Sequence, residues 1–214
     1  MKVIPREARR ITYSTEIRKL KKVPFTAIQK ALVIGSILGD GCLCENWSKT
    51  NYRLFINHCI KQKDYLWWKY SILKNYILSE PRYYARNNSY TIRTISHAEL
   101  SDLRKFFYKG KQKIIPKNIQ DFLSDPLVLA VWFMDDGNIR VYKGSVASYD
   151  LNTQSFTEEE NRRLASVLKD VFGLTVSLNL NNGHYRLHIS AADKWKFRSI
   201  IKNFVIDSMR YKLG

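Results

Sequence analysis

Acidic residues are scarce in this chain of 214 residues: 19 Asp plus Glu stand against 36 Lys plus Arg, a formal net charge of +17. That imbalance points to a polyanionic partner, either nucleic acid or an anionic membrane surface. Long apolar runs are lacking too. None reaches the roughly 18 residues that a spanning helix needs, and no basic–apolar–small signal-peptide pattern is present. Cysteines number three, Cys42, Cys44 and Cys59, with no CxxC pair, which argues against a disulfide framework and suits a reducing interior. The expected location is therefore intracellular, in an organelle (mitochondrion or chloroplast) or a prokaryotic cytoplasm. The first 22 residues hold eight Lys or Arg and two Glu, a composition that suits a targeting peptide or a DNA-contacting arm equally.

With 45% hydrophobic residues, including 13 Tyr, 10 Phe and 5 Trp, the chain can bury a real core. Its length suits one large domain or two small ones packed together. The two most apolar stretches, "ALVIGSILGDGCL" (31–43) and "LAVWFMDDGNIR" (129–140), both end in Asp-Gly. Taken singly, each is a core helix with a common turn at its end.

Asp40 and Asp136 lie 96 residues apart (136 − 40), and the segments after each run in parallel. After Asp40 come strand-like pieces at 42–47 and 51–59, a helix-like 63–78, two more strand-like pieces ("PRYYAR", "SYTIRTIS") and a helical "ELSDLRKFFY". After Asp136 come "NIRVY" and "SVASYDLNTQSF", then a helix over 157–173 that opens with a Thr157/Glu160 capping box and stops at Gly173. "TVSLNLNNGHYRLHIS" reads as a hairpin turning at Asn182-Gly183, followed by a helix from about Ala192. Each half thus reads αββαββα. The expected fold is α+β: two pseudo-symmetric lobes, with a basic arm at 1–24, lobes at 25–108 and 126–214, and a linker at 109–125.

Ala27, Ala31, Gly35 and Gly39 fall every four residues and make one stripe of small side chains, which lets a second helix, 126–136, approach closely. Parallel packing of the two brings Asp40 and Asp136 together at helix C-termini, where carbonyl dipoles already disfavour negative charge. A hard divalent cation is the usual remedy. Such a cation ringed by positive surface suggests phosphodiester hydrolysis.

"VIGSILGDG" (33–41) and "LAVWFMDDG" (129–137) resemble two copies of the LAGLIDADG motif of homing endonucleases, in the single-chain, two-motif form. "LNTQSFT" (151–157) and "MRYKL" (209–213) are most similar to a yeast mitochondrial intron-encoded member. The resemblance implies a monomer whose curved antiparallel sheets saddle double-stranded DNA, with the motif helices at the lobe interface. It implies Asp40 and Asp136 as catalytic acids and metal ligands. Gly39 and Asp135 would offer backbone carbonyls to Mg²⁺, for which Mn²⁺ substitutes. It implies cleavage of one phosphate per strand across the minor groove, leaving short 3′ overhangs at a long asymmetric target. By their places in "KQKIIP" and "YKL", Lys113 and Lys212 resemble the family's basic residues beside each metal. Val131 and Asp135 depart from the small residues usual at their positions, which reads as asymmetric packing against the first helix's stripe.

Strand alternation locates the DNA face independently. Ser177, Asn179 and Asn181 oppose Val176, Leu178 and Leu180; Arg186, His188 and Ser190 oppose Tyr185, Leu187 and Ile189. Ser148, Asp150, Asn152 and Gln154 oppose Tyr149, Leu151 and Thr153, and Arg140 completes the second-lobe set. Asn, Gln, Arg and Ser are the side chains suited to base edges, although a solvated sheet face alternates in the same way. In the first lobe, Arg82, Tyr84 and Arg86 share a face that Arg93, Arg53 and Asn57 complete. Cys42, Cys44, His58 and Cys59 form no compact zinc quartet and read as small side chains in or under the sheet. Two other functions suit the same fold. An intron RNA maturase needs the basic surface but not the acids, and an inactive DNA-binding regulator would usually have lost one acid. Retention of both acids favours the nuclease. Duplex binding is expected to weaken about 10³- to 10⁵-fold between about 50 and 200 mM salt, for roughly six to ten phosphate contacts. A flat salt response in a binding titration removes the electrostatic argument.

Overall fold

A computed structural model describes residues 14–181 and 183–214. Part of the basic arm, 1–13, and Asn182 of the expected hairpin turn lie outside the described residues. The described part of the arm is a short helix, α1 (Thr15–Leu20), capped by the Ser14 side chain and anchored in the core by Ile17.

The first lobe runs α2 (Ala27–Leu38), β1 (Cys42–Glu45), β2 (Tyr52–Cys59), α3 (Lys63–Leu73), β3 (Arg82–Tyr84), β4 (Ser89–Arg93), α4 (Ala98–Phe107). A small hairpin comes next, β5 (Tyr108–Lys109) and β6 (Gln112–Lys113). The second lobe runs α5 (Pro126–Asp136), β7 (Gly137–Tyr142), β8 (Ser145–Leu151), α6 (Glu158–Phe172), β9 (Val176–Asn181), β10 (His184–Ile189), α7 (Lys194–Ile201) and ends in a 3₁₀ turn (Asp207–Lys212). Both lobes are αββαββα. Their antiparallel sheets have matching orders, β1-β2-β4-β3 and β7-β8-β10-β9. Among the described residues no helix is long and apolar enough to cross a membrane.

The local chemistry accounts for the boundaries. Thr157 and Glu160 form the expected capping box at the start of α6, and Gly173 ends that helix with φ 63°. A second capping box, Thr26 with Gln29, starts α2. β1 stops at Glu45, two residues short of the expected end, because the Asn46 side chain folds the next segment into a turn. Its Oδ1 accepts from Thr50 N at 3.0 Å and Asn51 N at 3.3 Å. α3 ends at Leu73 and one 3₁₀ turn (Lys74–Tyr76) prolongs it, but Ile77 is extended (φ −120°, ψ 116°), so the segment expected to be helical to 78 stops short.

α2 and α5 are the spine. Residues 31–38 and 127–135 are buried on every side, as apolar helices sandwiched between two lobes must be. A Cβ placed on Gly35 would sit 2.6 Å from Val131 Cβ and 2.8 Å from Val128 O, and one on Gly39 would collide with the Asp135 side chain. Four residues on α2 thus match four on α5, so the helices run parallel. The bulkier Val131 and Asp135 fill the space that the two glycines leave. Each lobe's own core lies between its sheet and its outer helices: Leu54, Ile56, Ile92, Leu66 and Leu100 in the first, Leu151, Leu187, Leu164, Leu168 and Phe197 in the second.

Gly35→Ala is expected to destabilise the fold by about 1–3 kcal/mol through overpacking. Adding Val131→Ala should recover part of that loss. Strictly additive effects in a thermal-unfolding double-mutant cycle would contradict the close approach.

Candidate active site and nucleic-acid interface

Parallel packing delivers both acids to one place. Asp136 is the last residue of α5, whereas Asp40 lies just past the end of α2, after the cap residue Gly39. β1 and β7, the edge strands of the two sheets, begin within two residues of them. The cost of this meeting is visible in their proton affinities. The Asp136 carboxyl is pushed up to about 7 by burial first, then by the charges of Asp40 and Asp135. Asp40 is raised for the same reasons, burial ahead of Asp135.

Two lysines close over the helix ends. Lys113, at the end of β6, donates from Nζ to Gly39 O at 2.8 Å and Gly41 O at 3.1 Å. Lys212, from the C-terminal 3₁₀ turn, donates to Met134 O at 2.6 Å and Asp135 O at 3.0 Å. Each ammonium therefore satisfies carbonyls that a helix end leaves open. Burial lowers the pKa of both lysines, and the neighbouring acids oppose that shift. The carbonyls of Gly39 and Asp135, expected to face a metal, are the ones the lysines hold.

A third acid sits deeper. The Asp135 side chain is fully buried and so is its partner, Lys69 of α3, whose Nζ donates to both carboxylate oxygens at 2.7 and 3.0 Å. Removing one partner of such a pair typically costs about 3–5 kcal/mol, because the other charge is left uncompensated. His58 from β2 lies 3.5 Å from Asp40 Oδ2 and 3.7 Å from Asp135 Oδ1. Burial, and next the Lys69 charge, push its pKa down to about 4, so the ring is neutral at physiological pH. Tyr65 donates to Val131 O at 3.2 Å. Asp40, His58 and Asp135 bring ligand-type atoms within 4.8 Å of one another. The sequence alone gives Asp135 only a carbonyl role and leaves Lys69 and His58 without one in the site. A signal for Lys69 is nonetheless present: Tyr65, Lys69 and Leu73 fall on one helical stripe, which the structure buries.

The sheets present the expected faces. In the first lobe, cross-strand pairing puts Arg53, Asn57, Arg82, Tyr84 and Arg93 on one side, with Leu54, Ile56 and Ile92 on the core side. Arg86 is exposed in the adjoining 3₁₀ turn. Cys42 and Cys44 share the arginine face, their sulfurs 3.3 Å apart, while His58 points to the core side. In the second lobe, Arg140, Ser148, Asp150, Ser177, Asn179, Arg186 and His188 share one face, which Asn138 and His184 also join. The Asn181 side chain lies outside the described residues. Asn152 is exposed beside the acids, its N–H donating to Asp136 O at 3.0 Å, and Gln154 is half-buried next to it.

Two residues of this set are placed otherwise than expected. Ser148 and Asp150 lie on the right face but are buried. Asp150 accepts from Arg140 Nε at 2.7 Å, pairs with His188 Nδ1 at 2.8 Å and approaches Arg186 Nε at 3.6 Å. The carboxylate is thus taken up by Arg140 and His188, with Arg186 close by. Leu180, expected to face inward, is 65% exposed at the hairpin tip, where the sheet outruns its core. Arg53 and Arg186, one on each sheet, keep a buried Nε with no hydrogen-bond acceptor.

Paired αββαββα lobes meeting at acid-tipped parallel helices, with two basic, polar sheet faces beside them, define the two-lobed saddle architecture of a DNA endonuclease. The chain belongs to the LAGLIDADG DNA endonuclease family, whose model matches residues 30–197. It is 30% identical over 210 residues to the DNA endonuclease I-ChuI of Chlamydomonas applanata, covering 88% of this chain and 95% of that one. It is 31% identical over 200 residues to the RecA protein of Mycolicibacterium chitae, where the match takes in 86% of this chain but only 46% of the relative. Among solved structures, the homing endonuclease I-WcaI bound to its DNA recognition sequence superposes with a TM-score of 0.84 at 27% identity, covering 94% of this chain and 93% of that one.

Proposed function

We propose that this family member is a site-specific homing endonuclease. It cuts both strands of a long asymmetric duplex with the help of a divalent cation, leaving short 3′ overhangs. The observation that carries the reading is the meeting of Asp40 and Asp136, two carboxylates with raised proton affinity at adjoining helix ends. Asp136 is half-buried and Asp40 is solvent-exposed, so a cation can reach both carboxylates. The donor set suits a hard ion: the carboxylates of Asp40 and Asp136 and the carbonyls of Gly39 and Asp135 are all oxygen. Mg²⁺, or Mn²⁺ in its place, supplies positive charge at the scissile phosphate and acidifies water there.

The chain's own groups do the rest. Lys113 and Lys212 set Nζ beside the same carbonyls, where each would steady charge on a phosphate oxygen or orient the attacking water. Arg53, Asn57, Arg82, Tyr84, Arg86 and Arg93 line one half-site, and Arg140, Ser177, Asn179, Arg186 and His188 line the other, with Asn152 and Gln154 near the centre. Asp150, buried on the same face, orients Arg140 and His188 of this second set. The lobes divide at 25–108 and 126–214, and the linker between them contributes the Lys113 hairpin. Retention of both acids sets this reading above the RNA maturase and the inactive regulator.

Asp40→Asn or Asp136→Asn is expected to abolish double-strand cleavage, by about 10³-fold or more, while duplex affinity stays within a few-fold. A cleavage selection on randomised duplexes with Mg²⁺, sequencing the cut ends, measures this. Cleavage retained by both variants would overturn the assignment of the acids.

A further inference from the structure

The two acids are held by different means. Asp136 closes α5: the adjoining Gly137 N–H bonds to Phe133 O, and the Asp136 carbonyl accepts from Asn152 N–H at 3.0 Å. Helix and sheet hold it, and Lys212 holds the carbonyls of Met134 and Asp135 just before it. Asp40 lies beyond its helix, after a cap residue with φ −99° and ψ −129°. Its backbone N–H is directed at a side chain of the other lobe, donating to Asp135 Oδ2 at 3.2 Å. That carboxylate also fills the space where a Cβ on Gly39 would go.

Asp135 is in turn fixed by Lys69, whose Nζ bonds to both its oxygens and stands 4.5 Å from the centre of the Tyr65 ring. Tyr65 reaches back to Val131 O on α5, and His58 closes the remaining side with an Nε2 that has no hydrogen-bond partner. Among the described residues the arrangement has no copy across the pseudo-twofold. The residue 96 places before Asp135 is Gly39, and the seventh residue of α6, matching Lys69 in α3, is the buried Leu164.

We propose that Lys69 is a positioning residue. Through the buried Asp135 carboxylate it fixes the Asp40 N–H, and so the Asp40 carboxylate. That amide lies between two that α2 itself holds (Gly39 N–H on Gly35 O, Gly41 N–H on Ser36 O), whereas among the described residues no ion pair of this kind braces Asp136. The chain then carries two active-site halves of unequal construction, one braced across the lobe interface by an ion pair. Losing the brace slows the half built on Asp40 and spares the other. The proposal rests on the reading of Asp40 and Asp136 as endonuclease acids, but the bracing itself is measurable without cleavage.

The test uses the full chain, ¹⁵N-labelled, as wild type, as Lys69→Met and as the double variant Lys69→Met/Asp135→Asn. The double variant buries no unpaired charge, so it carries the test if the single variant fails to fold. Amide hydrogen exchange at Asp40 is expected to quicken about tenfold or more in both variants, while the Asn152 amide, which reports the Asp136 side, changes by less than about twofold. In strand-resolved cleavage, one strand should be cut about tenfold or more slowly than the other, the same strand in both variants, at unchanged duplex affinity. Equal loss of protection on the two sides, no change at Asp40, or equal slowing of both strands overturns the proposal. If no duplex is cut even by wild type, the endonuclease reading fails and amide exchange alone decides the brace.

Discussion

Bringing two carboxylates to the C-terminal ends of two parallel helices is the constraint to which the rest of this molecule answers. Like charges repel, and helix ends present partial negative charge of their own. Apolar packing cannot relieve that conflict; nearby cations or a bound proton can. The structure meets it at three points. Lys113 and Lys212 cap the carbonyls of the two helix ends, and Lys69 neutralises the third, deepest acid. What stays unbalanced is the pair Asp40 and Asp136, and that residue of negative potential is what a divalent cation and a phosphate can use. The overall charge of +17 extends the same logic outward, since a basic surface favours a polyanionic partner.

The helix contact sets the precision of that arrangement. Gly35 and Gly39 offer no side chain, and Val131 and Asp135 occupy the space they leave. Large against small is a volume-conserving fit, and it makes the two motifs non-equivalent: copying the second motif into the first lobe would put two bulky residues face to face. The same asymmetry puts a carboxylate at the interface from one side only. A single chain with two unequal lobes suits an asymmetric target, because each sheet carries its own side chains. The first face is dominated by arginines. The second has asparagines and histidines around basic residues that Asp150 holds in place.

Much of this was legible in the sequence, for physical reasons. Fully apolar runs ending in Asp-Gly, the Ala/Gly stripe and the parallel order of elements after Asp40 and Asp136 come from helix and strand periodicities, which one chain displays directly. Period-two alternation likewise put Arg186, Asn179 and Arg53 on a common type of face. What escaped depended on tertiary distance. Lys69 reads locally as one basic residue among 36, and its partner is 66 positions away. Asp150 has the look of a base reader until Arg140 and His188 converge on it in the fold. Leu180 kept the strand's alternation but lies past the reach of the core. Alternation fixes which side a residue takes, and burial on that side is decided by neighbours on other strands.

The most direct test of the central claim, that Asp40 and Asp136 are brought together to share a cation, is a titration of the full chain with Mn²⁺ monitored by electron paramagnetic resonance between about pH 5.5 and 8. Asp136, raised to about 7, keeps its proton below that pH, and a cation must displace it. Affinity should therefore rise up to about tenfold per pH unit below 7 and level off above it, with the rise lost in Asp136→Asn. Mn²⁺ binding that is flat with pH, or equal in wild type and variant, would contradict the account.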